Sequence, residues 1–283
     1  MSAVPSSSAQ AAREALAGRL KEIRRDARLT GHELAVRCGW HKAKSSRIEN
    51  ARTAPSDDDI RAWCTACGAE DQAADLIAAN RAVESMYVQW RRLHRKKTLR
   101  QIQESRVPLH ERTRLFRVYS SDVVPGFLQT EGYATAVLQS VASLRELRDD
   151  IPEAVAARLA RARVLREGGH RFVMLVEEAV LRYQMGDKET MAGQLEHLLS
   201  VMSLPSVSLG VIPSRGRRPI WAVETFSVYD DEQVFVELLT ARVTVTAPGE
   251  VRDYLKTFDG LRQRAVYGGR ARALIASAIE ALA

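Results

Sequence analysis

Over the first eighty or so residues, apolar positions recur at helical spacing. Leu16, Leu20 and Ile23 form a stripe on a first helix whose other face carries Arg19, Arg24, Arg25 and Arg28. Thr30 followed three residues on by Glu33 is a capping box, which starts a second helix at Gly31 with Leu34, Ala35 and Cys38 on its apolar face. Gly39 stands where a helix end tolerates positive φ, and Trp40 and His41 open the next helix. Within it Ser45 and Ile48 point inward at i, i+3 spacing. Lys42, Ala43, Lys44 and Arg47 are thereby left outward near its N-terminus. Pro55-Ser56-Asp57-Asp58-Asp59 caps a further helix through Ile60, Trp63 and Cys67. The pattern predicts a bundle of four or five helices over residues 13–80. Two of them meet at a Gly turn, the layout that lays a helix in the major groove of DNA.

The period continues into Val83, Met86, Tyr87, Trp90 and Leu93, predicting one long helix over residues 81–112. Its stripe is either core or the seam of a homodimer, since two-fold proteins hold their recognition helices at a fixed spacing. From residue 113 the texture changes to strands alternating with helices. Strands are expected at Arg114–Ser120, Phe172–Glu177, Val207–Ile212, Thr225–Tyr229, Val234–Leu238 and Val243–Thr246. Helices are expected after Pro152, ending at Gly168-Gly169, and after the cap Asp187, with two more closing the chain. The fold class is therefore multidomain: an all-α helix-turn-helix domain followed by a mixed α+β domain over 113–283. Residues 1–12, rich in Ser and Ala, read as a disordered arm.

Charge sharpens this picture because it is unevenly placed. The 283-residue chain carries a net charge of +7. Residues 13–52 hold 11 basic and 5 acidic side chains, whereas 53–80 hold 1 and 6. Residues 81–118 hold 11 and 3, and the remainder 19 and 21. The basic side of the first domain is thus the helix-turn-helix. The connector, more basic still, either lies along the DNA backbone or is a solvated helix face.

The run Gly39-Trp40, Lys44 and Ser46-Arg47-Ile48-Glu49 resembles the helix-turn-helix of Xre-family regulators, the lambda and 434 repressor type. The resemblance covers residues 14–70. It implies that Lys42, Ala43 and Arg47 read base edges, and that Lys44 and Asn50 grip phosphates, with His32, His41 and Arg52 completing the phosphate contacts. Two departures stand out. Gly31 replaces a Gln that often anchors the first helix to phosphate, and Ser45 replaces a branched apolar core residue.

The second half resembles the C-terminal domain of unknown function found behind such a motif in a large actinobacterial family that includes WhiJ-like developmental regulators. The stretches that carry the likeness are Val124-Pro-Gly-Phe-Leu-Gln-Thr with Tyr133-Ala134, Arg158 to Leu165, Glu177-Glu-Ala-Val-Leu-Arg, Gln194-Leu-Glu-His-Leu, Gly210-Val-Ile-Pro and Phe258-Asp-Gly-Leu-Arg. Members have been described as antitoxin-like (Scr-type) regulators, so the resemblance implies a small acidic partner protein encoded nearby. Arg215, Arg217, Arg218 and Trp221 are the candidate surface for it, although a Trp so placed is more often a lid on the core.

Other chemistry is thinly represented. Cys64-Thr-Ala-Cys67 with Cys38-Gly-Trp-His41 has zinc-like spacing, or the three thiols are small buried residues. The odd cysteine count, no leader and no apolar run near 18 residues point to a reducing cytoplasm and no membrane. Glu177 and Glu178 are adjacent and face opposite ways on a strand, and neither a nucleophile elbow nor a phosphate loop is present. The expected protein is a cytoplasmic, dimeric transcriptional regulator that binds double-stranded DNA, uses no cofactor and is not an enzyme. Its activity is set through the C-terminal domain by a partner protein or ligand; the alternative is an antitoxin that silences a partner and represses its own operon.

Overall fold

A computed structural model of the chain describes residues 7–147, 150–220 and 224–282. Two units result: residues 1–88 with 242–245, and residues 89–241 with 246–283.

The first unit is helical: α1 (Ser7–Asp26), α2 (Gly31–Arg37), α3 (Lys42–Glu49), α4 (Asp57–Cys67) and α5 (Ala73–Met86), then a short strand β1 (Tyr87–Gln89). Leu16, Leu20, Ile23, Leu34, Ile48, Ile60, Trp63 and Cys64 bury one core. The Trp63 indole, fully enclosed, donates to the Leu20 carbonyl at 3.0 Å, so its polar edge costs nothing in the core. Of the expected arm, residues 1–6 lie outside the described residues, and Ser7–Ala12 form the first turns of α1.

The long connecting helix expected over 81–112 does not form. The chain leaves α5 at Met86, runs through β1, and continues as three short helices: α6 (Trp90–Lys96), α7 (Leu99–Glu104) and α8 (Val107–Arg112). Local signals explain the last two breaks: Thr98 and Gln101 form a capping box that starts α7, and Pro108 occupies the first turn of α8. The side chains of Val83, Met86 and Tyr87 lie outside the described residues. Trp90 is 5% exposed, and its Nε1 donates to the Leu238 carbonyl at 2.9 Å, so it is core rather than a free dimer seam.

The second unit, α6 onward, adds β2 (Leu115–Ser120), α9 (Glu131–Arg145), α10 (Ile151–Arg161), β3 (Arg171–Glu177), α11 (Lys188–Val201), β4 (Val207–Ile212), β5 (Phe226–Tyr229), β6 (Gln233–Glu237), α12 (Pro248–Arg262) and α13 (Gly268–Glu280). The strand β7 (Ala241–Val245) is divided, Arg242–Val245 grouping with the first unit. Strands β2, β3 and β4 are parallel neighbours, and β5 and β6 continue antiparallel from β2 in the order β6-β5-β2-β3-β4. The near-continuous apolar run of β3 matches burial on both faces. Phe116 and Phe172, opposite each other in the register, stack at 4.3 Å, and Met174, Leu195 and Ile275 share their core.

The stretch Val124–Thr130 is an ordered loop held by buried polar side chains. Gln129 donates to the Val124 carbonyl at 2.7 Å, Gln194 donates to the Leu128 carbonyl at 2.7 Å and accepts from the Thr130 N–H at 2.8 Å, and the Tyr133 hydroxyl accepts from the Val124 N–H at 3.2 Å. These bonds answer backbone groups that a buried loop would otherwise leave orphaned.

Candidate nucleic-acid interface

The backbone of the α2–α3 pair is set by its caps. Thr30 Oγ1 accepts from the Glu33 N–H at 3.2 Å, and Glu33 accepts from the Thr30 N–H at 2.7 Å, which holds its carboxyl below the usual range. Gly39 takes φ +68°, and the Trp40 N–H returns to the Ala35 carbonyl at 2.7 Å. Trp40 lies in the turn, and His41 is the N-cap of α3, its Nδ1 accepting from the Ala43 N–H at 3.3 Å.

Ser45 is 2% exposed and explains one departure from the repressor pattern. Its hydroxyl reaches the Gly31 carbonyl at 3.2 Å and the Lys42 carbonyl at 3.1 Å, so a short polar side chain joins α3 to the start of α2 where a branched apolar one would fill space.

Of the residues expected to read bases, Lys42, Ala43 and Arg47 are all exposed on α3. His32 and Arg52 are exposed as well. Two of the expected phosphate contacts are otherwise engaged. Lys44 Nζ lies 2.5 Å from Asp59 Oδ1 and 4.6 Å from the centre of the Trp40 ring. Burial alone would raise the Asp59 carboxyl, but the Lys44 ammonium and the Ser56 N–H outweigh it and leave it low. The Asn50 amide donates to the Ser46 carbonyl at 2.8 Å and closes the end of its own helix.

Arg24 also departs from expectation. It turns from the basic face of α1 and pairs with Glu49 at the end of α3, a helix-to-helix link that periodicity on α1 alone does not reveal. Cys38, Cys64 and Cys67 form no disulfide, the Cys38 thiol donating to the Ala62 carbonyl at 3.5 Å, and burial raises all three, Cys67 to about 11. Among the described residues no group of three or more His, Cys, Asp or Glu could hold a metal ion. No described helix is long and apolar enough to cross a membrane.

In the second unit the candidate basic surface is not free as a whole. Trp221 lies outside the described residues. Arg215 and Arg217 are exposed, but Arg218 forms a bidentate pair with Glu177, which is 7% exposed and also accepts from the Tyr119 hydroxyl at 2.9 Å. Glu178 instead accepts from the Ser214 N–H at 2.9 Å. A cavity of about 1130 Å³ opens beside α6 and α9, lined by Trp90, Leu99 and Leu147, by the basic Arg95, Lys96 and Arg145, and by the acidic Glu146 and Asp150. The Arg145 guanidinium stacks over Trp90 at 4.2 Å, and Leu144 and Leu239 at the mouth are 65% and 75% exposed.

Fold and site together define a helix-turn-helix regulator with an α+β C-terminal domain. Residues 15–77 match the family described as helix-turn-helix domain, and residues 103–277 match the domain of unknown function DUF5753. The chain belongs to the DUF5753 family. No curated protein matches it. One similar solved structure is that of TrmBL2, described as an archaeal chromatin protein with a novel mode of DNA binding. It is 10% identical with a TM-score of 0.32, covering 75% of this chain and 70% of its own. That likeness is too slight to carry an argument.

Proposed function

We propose that the protein is a sequence-specific transcriptional regulator of the Xre type, acting in the cytoplasm as a homodimer on double-stranded DNA. The observation that carries this reading is α3 itself. Its backbone is fixed by a cap, a Gly turn and the Ser45 bonds, while Lys42, Ala43 and Arg47 stand exposed along it. A rigid helix presenting small and basic side chains suits the major groove, where Arg donates to the two acceptors of guanine. The local basic excess around α3 adds sequence-independent attraction to phosphates.

The second unit, in this proposal, has no catalytic task and tunes DNA binding by holding a small ligand. The cavity beside α6 and α9, lined by apolar side chains and by charged groups of both signs, supports that role. With Arg218 committed to Glu177, the loop at 215–218 offers an acidic partner protein less free charge than its sequence implies.

Selection of bound DNA from a random pool, followed by sequencing, tests the reading. One enriched two-fold symmetric site is expected. Arg47→Ala should then cost about 1–3 kcal/mol at that site and relax preference at one base pair. Equal affinity for the selected site and random DNA would overturn it. Sedimentation without DNA checks the dimer.

A further inference from the structure

The second unit buries more positive charge than it neutralises. Arg161, the last residue of α10, is 8% exposed, and its Nε and Nη1 have no hydrogen-bond partner among the described residues. Its guanidinium lies 5.8 Å from the centre of the Phe127 ring and comes close enough to Gly126 that a Cβ there would meet Nη2 at 3.0 Å. Three residues earlier on α10, Arg158 is already engaged, its Nη1 donating to Gln129 Oε1 at 2.6 Å. Arg106 pairs with Glu237, but its buried Nε has no partner among the described residues. His110 is 1% exposed among Phe127, Tyr229 and Phe116, at 4.9, 5.8 and 5.9 Å, and neither ring nitrogen has a partner among the described residues.

These groups share one neighbourhood. Burial, then the charges of Arg161 and Arg106, hold the His110 imidazole down to about 3, so it is neutral. Burial, then Arg106 and Arg158, disfavour the charge on Arg161. An arginine does not shed its proton at physiological pH, so the mismatch cannot be relieved as it is for histidine. Three guanidiniums face one carboxylate, Glu237, whose side chain is 52% exposed. Among the described residues the cluster has two uncompensated charges and several unanswered donors. Water would answer the donors but not the charge; an anion answers both.

We infer that Arg161, Arg106 and His110, braced by Arg158, form a binding site for a small oxyanion carrying two negative charges, a phosphate group or a dicarboxylate. In this site Arg161 and Arg106 turn their free N–H groups to the oxyanion, and neutral His110 donates its one ring proton. Gly126 leaves room for the Arg161 guanidinium against the Val124–Thr130 loop. The half-exposed Glu237 marks the way in and is the carboxylate that an incoming anion displaces from Arg106. The site goes beyond the regulatory reading and does not depend on it.

Calorimetric titration of the full-length protein with inorganic phosphate and, separately, with succinate, at ionic strength matched by sodium chloride, tests this. Saturable binding of at least one of the two is expected, with no heat from chloride. Which one binds identifies the class of oxyanion. Loss of the Arg161 donors in Arg161→Gln should weaken that binding by about tenfold or more. Should that variant fail to fold, the ring signals of His110 in the wild-type protein provide the second readout, and they should shift on saturation. No saturable binding of either anion would overturn the proposal. So would unmoved His110 signals, or binding that survives Arg161→Gln but is lost in Arg47→Ala, which would place the anion on α3.

Discussion

Arg24 and Glu49 form a bidentate ion pair, Nε to Oε1 at 2.5 Å and Nη2 to Oε2 at 3.2 Å, with each side chain only 12% exposed. The same guanidinium donates to the Leu29 carbonyl at 2.5 Å, so one arginine joins α1, the turn before α2 and the end of α3. Arg24→Met leaves Glu49 part-buried without its partner. The expected cost is about 2 kcal/mol, the range for hydrogen bonds to charged groups, seen as a lower thermal midpoint of the first unit. DNA affinity measured well below that midpoint should change little. An unaltered midpoint would show that the pair is structurally idle.

Lys44 and Arg52 are both basic and near α3, yet only Arg52 has its charge free for phosphate. Arg52→Ala should flatten the log–log salt dependence of DNA binding by about 0.9, one phosphate's worth. Lys44→Ala should leave the slope unchanged and cost less than about 1 kcal/mol of stability, because its pair with Asp59 is partly solvated. Fluorescence anisotropy across a salt series separates the two. A flattened slope in Lys44→Ala would return that residue to the phosphate contacts.

The neutral imidazole of His110 makes stability depend on pH. Its basicity is lowered in the folded protein, mainly by burial, so the unfolded chain binds the extra proton over the window from about 6.5 down to about 3. Stability is therefore fully present above that window and falls as pH drops through it. Between pH 6.5 and 5 the loss is about 2 kcal/mol. His94 and His197, also lowered by burial, act in the same direction, so the diagnostic is the difference from His110→Phe. Urea midpoints at the two pH values should differ less in that variant than in the wild type. Equal differences would mean that His110 does not carry the effect.

Arg217 and Arg218 are neighbours in sequence with unlike surroundings. Arg217→Glu, on an exposed loop, should leave stability within about 0.5 kcal/mol of wild type and the thermal midpoint nearly unchanged. Arg218→Glu sets a carboxylate against the buried Glu177 and removes one of its partners, so a loss of about 2 kcal/mol or more is expected. Differential scanning calorimetry of both variants gives the comparison. Equal midpoints would mean that Glu177 does not rely on Arg218.

Much of the first unit was legible because its signals are local. The Thr30 and Glu33 capping box, the positive φ of Gly39 and the i, i+3 pair Ser45 and Ile48 each need only a few consecutive residues, and each is present in the fold. The connector was misread for the same reason. Apolar residues at helical spacing suggested one helix, while Thr98 and Pro108, equally local, divide it. Strand positions in the second unit were legible from their apolar runs. Their order was not, since β5 returns antiparallel beside β2 across more than a hundred residues of chain.

The sequence by itself determined the two classes of domain and the exposed face of α3, because periodicity and caps act over one or two turns. Only tertiary structure decided which charges are free. Arg24, Lys44 and Arg218 read as surface cations, yet each is paired with an acid from another element, and Arg161 is buried with two of its nitrogens unanswered among the described residues. Nothing in a run of neighbouring residues encodes such partners. A salt bridge joins groups brought together by the packing of whole elements, and the cost of an unpaired guanidinium arises only once those elements have excluded water.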